Sequence, residues 1–160
     1  MDALQQVPMT MATSKAGAAA GTTTTLTTAN TTLFCIKGKA YSKAAAANAA
    51  TPTSDFTTGA AFVGIPINYG CAFVLSYDSG GTLRVSQGPL QALDPSGNFI
   101  NAPQFPIVPD TVCPFAYLIT KVGATGATWT FGASNLAGPP TGVSHTFVDV
   151  FTLPDRPQIS

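Results

Sequence analysis

Apolar residues come in short runs, and Gly, Pro, Asp and Asn break them at intervals of roughly 8–12 residues, the spacing of an all-β sandwich or barrel. The first β-type run covers residues 31–37. Residues 37–42 continue it or follow a kink at Gly38. Residues 44–50 are small and read as a connection with one helical turn. Residues 61–67 are apolar but interrupted by Gly64 and Pro66, which suits an edge or a bulge. The clearest unit is a hairpin: residues 71–77, then Asp78-Ser79-Gly80-Gly81, then residues 82–87. In its second strand Leu83 and Val85 alternate with Arg84 and Ser86, so one face is buried.

Downstream, Asp94-Pro95-Ser96-Gly97-Asn98 is a tight turn. Residues 103–109 hold three prolines, which remove three backbone donors, and read as an extended loop outside any ladder. Residues 115–122 form the most hydrophobic run and read as a central strand. Residues 123–126 turn it into a strand over 127–131; residues 132–142 form a loop, and 143–151 the last strand. The pattern predicts an all-β protein: a single β-sandwich or jelly-roll-like domain over 33–152, a polar tail at 153–160, and an extended low-complexity N-terminal arm over 1–32.

Composition singles out that arm. Residues 10–32 hold ten threonines, and residues 1–32 carry only Asp2 and Lys15. Repeated Thr disfavours helix and suits extended chain. A free tail and an arm held by partners both fit this composition; the second is carried forward, with Thr22, Thr23, Thr24, Thr25 and Leu26 as its contact residues.

The chain has 160 residues, seven Lys+Arg and seven Asp+Glu, hence zero net charge; all seven acids are aspartates. Only 9% of residues are charged, against roughly 25% in an ordinary domain. So few basic residues argue against a nucleic-acid binder. Scarce Leu, Glu and Lys argue against a helical bundle. No window of about 18 apolar residues predicts a membrane helix, and an acidic start without an apolar stretch predicts no secretory leader. A surface with so little charge makes sense if other chains cover it. The charge is also uneven: residues 1–50 net +3 and residues 51–160 net −3, from four Lys against Asp2 and from three basic against six acidic residues. Lys37 and Lys39 are therefore further candidate partner contacts on the first strand.

Catalytic chemistry finds no constellation in the sequence. In a strand, Ser144 and His145 point to opposite faces, and Asp149 lies about 13 Å further on at strand rise, so these three cannot form a triad. Cys35, Cys71 and Cys113 lack paired metal-ligand spacing and read as reduced, small hydrophobes. The aspartates mostly occupy turns, where their side chains bond the local backbone. Trp129, Phe131, Tyr69, Tyr77 and Tyr117 read as core or subunit-interface aromatics rather than a stacking platform. No enzyme, metal or cofactor is expected.

The stretches Gly80-Gly81-Thr82-Leu83-Arg84-Val85-Ser86-Gln87-Gly88, Ala92-Leu93-Asp94-Pro95-Ser96-Gly97-Asn98-Phe99 and Pro103-Gln104-Phe105-Pro106 resemble small virion proteins of tailed bacteriophages. Trp129 to Leu136 and the closing Thr152-Leu153-Pro154-Asp155-Arg156-Pro157 extend the resemblance over residues 31–157. It implies a capsid decoration, or cement, protein: a non-enzymatic part made in the host cytoplasm and bound to the outside of the virion head. Its implied partners are the major capsid protein and further copies of itself, as a trimer by preference or a dimer. Neither nucleic acid nor membrane is implied. Another virion component (tail tube, head fibre or adhesin module) is the alternative reading, and a carbohydrate-binding β-sandwich a more distant one.

Overall fold

The computed structural model describes residues 9–158, in which eleven strands and no helix appear. The strands are β1 (Met11–Ala12), β2 (Ala18–Ala20), β3 (Leu26–Thr28), β4 (Thr32–Ile36), β5 (Lys39–Lys43), β6 (Ala46–Ala49), β7 (Tyr69–Asp78), β8 (Leu83–Gln87), β9 (Gln91–Ala92), β10 (Val112–Val122) and β11 (Val143–Asp149). They make three sheets. The largest is antiparallel with order β11-β10-β7-β8, and β9 adds to β7. The two smaller sheets run β1-β4-β5 and β2-β3-β6.

The hairpin expected around Asp78 is present. β7 and β8 pair Tyr77 with Leu83, and the Asp78 carboxylate accepts the N–H groups of Gly80 and Thr82, each at 2.9 Å. Its other oxygen takes Arg84 Nε at 3.0 Å. Burial opposes the charged form, but these donors together hold the carboxyl below its usual range. The turn at Asp94 also forms: Asp94 N–H donates to Asn98 O, and Asn98 N–H donates back to the Asp94 carboxylate. β10 is the expected central strand. Pro114 lies inside it at a β-bulge, where the missing donor costs no ladder bond.

β7 and β10 are buried on both faces. One face meets the core, where Phe73, Phe115 and Leu118 join Ala12, Phe34 and Ile36 of the first small sheet and Leu26 of the third. Tyr77 stacks on Phe115 at 4.3 Å between ring centroids. The other face is covered by the proline-rich loop. Phe105 meets Tyr117 edge-on at 5.1 Å, and Lys121 reaches over Phe99. Gly88 lets this loop approach: a Cβ there would lie 2.5 Å from the Gln104 carbonyl. Residues 103–109 form no strand, as their prolines predict.

Three expectations are corrected. Residues 44–50 hold no helical turn; Ala46–Ala49 form a strand on β3. Residues 127–131 make no strand either. Trp129 forms an isolated bridge with Ile65 and turns its ring into the core, its Nε1 donating to Asn135 O at 3.0 Å.

The third correction concerns the arm. Residues 9–32 do not extend from the body; they are part of it. β1 pairs with β4, β2 and β3 form a hairpin, and Ala12, Ala16 and Leu26 lie in the core. Asp149 accepts the N–H groups of Gly17 and Ala18, both at 3.1 Å, and Ala12 N–H donates to Phe151 O at 2.8 Å. The physical reason is size. Ala and Thr are small enough for backbone to approach backbone, so a segment with few large side chains still gains ladder bonds and shields the core. Residues 1–8 of the expected arm, with Asp2, lie outside the described residues, as do 159–160. The closing segment also folds back: Pro157 is buried, and Gln158 N–H donates to the Tyr117 hydroxyl at 3.0 Å.

Candidate interaction surface

The candidate contact residues fall in two places that share no contact. Thr22 to Thr25 form the turn between β2 and β3. Gly21 N–H donates to Thr25 O, and Thr22 N–H to the Thr25 hydroxyl. Thr23 O accepts from Leu136 and Ala137, and Thr24 O from the Thr51 hydroxyl. Thr22 and Thr23 remain exposed, while Thr24 and Thr25 are half-buried. Leu26 is 1% exposed and belongs to the core, so it is corrected from a partner contact to a packing residue. It also contributes to the wall of a groove of about 280 Å³ shared with Lys43, Tyr77 and Gly81.

Lys37 lies in the turn between β4 and β5, and Lys39 opens β5. Lys37 and Gly38 both take positive φ, 50° and 80°, in a two-residue hairpin turn rather than a kink. Lys37 Nζ lies 2.8 Å from Asp110 Oδ2, with both side chains mostly exposed. Part of the charge asymmetry between the two stretches of chain is therefore met within one molecule. Such an exposed pair adds little stability, about 0–1 kcal/mol. Lys39 Nζ stands over the Tyr41 ring at 5.6 Å.

Beside the Lys37–Asp110 pair the structure opens a groove of about 200 Å³. Thr10, Val108, Pro109, Asp110, Phe151 and Leu153 line it, so three distant stretches of chain meet there. Phe151 is exposed, and so are Met9 and Ile107 in the adjoining stretches, Ile107 at 84%. Sequence reasoning named Lys37 but missed this apolar shelf, because its residues gather only in the fold.

The residues weighed for chemistry are dispersed. His145 Nδ1 bonds the Thr120 hydroxyl at 2.9 Å, and its ring lies 4.7 Å from that of Trp129. Ser144 is exposed, and the Asp149 carboxylate is engaged by Gly17 and Ala18. Burial lowers the His145 pKa to about 4, opposed only in part by the Asn135 carbonyl. Burial pushes Cys71 and Cys113 up to about 12, so both thiols stay protonated. No group of three metal-ligating side chains occurs among the described residues. Trp129, Phe131, Tyr77 and Tyr117 are buried; Tyr69 is exposed.

The sequence was compared with protein-family models and with curated proteins, and the fold with solved structures; none matched. The chain is therefore read from its own residues: an all-β body with polar groups engaged internally and large apolar side chains outside.

Proposed function

We propose that this chain is a non-enzymatic virion structural protein that binds the outer surface of a phage head and cements neighbouring major capsid subunits. The observation that carries this reading is the surface. Among the described residues eight large apolar side chains, Ile107 and Phe151 among them, are exposed, on a chain with only seven basic and seven acidic residues. A surface of this kind is suited to being covered by other chains. The clamp is read onto the body, around the groove beside Lys37 and Asp110, because residues 9–32 are used internally. Two small sheets over one face of the central sheet are read as a sandwich-like body of the sort such proteins use. The proposed partners are the major capsid protein and further copies of this chain, in the virion.

Another virion component remains the alternative, since the same surface would serve a tail tube or fibre. Mass spectrometry of heads purified with and without tails separates the two. Equal abundance in tail-less heads is the expected result, and enrichment with tails would overturn the proposal.

A further inference from the structure

Among the described residues the other sheet edges are short, charged or bridged, and β11 is the longest edge strand left open. The free side of β8 is bridged by Phe56 N–H to Val85 O and by the Asp55 carboxylate to Gln87 N–H. β5 carries Lys39 and Lys43 at its ends, the charges that discourage pairing. β2 and β6 are three and four residues long. β11 has seven residues, with no Lys, no Pro and no bulge.

The free backbone groups of β11 follow from its register. Val150 N–H donates to Phe115 O, and Gly123 N–H to Gly142 O. Even-numbered residues therefore direct their backbone groups at β10, and odd-numbered ones turn theirs outward. At the ends these outward groups are used, Val143 N–H by Pro140 O and Phe151 O by Ala12. No ladder covers His145, Phe147 and Asp149 between them; β2 meets β11 through the Asp149 side chain.

We infer that β11 pairs with β11 of a second copy, antiparallel about a twofold axis through Thr146. This rests on the homo-oligomer in the proposed function and selects its twofold form. The parity is self-consistent: with Thr146 on the axis, His145 faces Phe147 of the second copy and both present outward groups. Val143 faces Asp149 at the rim, where Val143 N–H stays on Pro140 O, and Ser144 faces Val148, so no like charges oppose and the new ladder bonds run between His145 and Phe147. Thr146 is exposed and meets its counterpart as a non-hydrogen-bonded pair, with Cα atoms about 4.5 Å apart. The result is one sheet continuous across both molecules, an isologous interface.

Sedimentation of the purified full chain tests this without any capsid, so its failure is distinct from failure of the virion reading. A small interface belongs to the weak class, and the concentration series should reach ~0.5 mM. The expected particle has twice the 16.3 kDa chain mass. Thr146→Lys, which sets two cations face to face on the solvent side, should give a monomer with an unchanged melting temperature. Thr146→Cys should form an intermolecular disulfide under copper-phenanthroline and oxygen, which the unsubstituted chain should not. A monomeric wild-type chain, or an oligomer in which Thr146→Cys fails to cross-link, would overturn the inference.

Discussion

His145 shows how one residue can carry a solution property of the whole chain. Its ring is packed against Trp129, its Nδ1 bonds Thr120, and its buried Nε2 has no partner. The folded pKa, about 4, lies below the ordinary imidazole value of 6.5, so the unfolded chain takes up the proton first. The stability contributed by the neutral ring is complete above the unfolded value and drains away as pH falls from 6.5 towards 4. Urea unfolding at pH 7 and pH 4.5 should show a lower midpoint in acid, with the difference reduced in His145→Phe. An equal acid loss in that variant would assign the effect to other groups. Asp149 has a different role: one carboxylate satisfies two backbone donors of the N-terminal segment. Asp149→Ala should cost about 2 kcal/mol, since hydrogen bonds to a charged group are among the stronger ones. Equilibrium unfolding measures this, and amide exchange at Gly17 and Ala18 should accelerate in parallel.

At the scale of elements, the N-terminal meander is structural. Deleting residues 1–30 would strip Ala12, Ala16 and Leu26 from the core, leave β6 without a partner and leave β4 paired with β5 alone. The truncated chain should lose its near-ultraviolet dichroism and its cooperative melt; a native-like melt would show that the meander is dispensable. The sequence does not announce this role. Alternation marks β8, and turn chemistry marks Asp78 and Asp94, because those signals are local. The buried positions of the meander are small and widely spaced, so their burial is decided by sheets contributed from elsewhere. β6 was obscured in the same way: a run of alanines with one Asn suits a helical turn until β3 offers it a ladder. Trp129 looked like strand because its neighbours alternate, yet its partner is a single bridge to Ile65. In the candidate surface, Lys37 was legible as a charge. The groove beside it was not, since Thr10, Asp110 and Phe151 are joined only by the fold.

For the whole molecule, the surface that reads as a docking face should be separable from the body that presents it. Ile107 is 84% exposed, so Ile107→Asp should leave the melting temperature unchanged while weakening association with heads in a co-sedimentation assay. Unchanged association would place the contact elsewhere on the surface. The stitching of Ala12 to Phe151 and of Gly17 to Asp149 has a further consequence, one of timing. Contacts that span 132 residues cannot form until β11 has been translated. A ribosome therefore exposes the Thr/Ala segment first and leaves it waiting for the last strand. The body is therefore completed late relative to its first strands, and nothing that recognises the finished surface can bind before β11 has emerged.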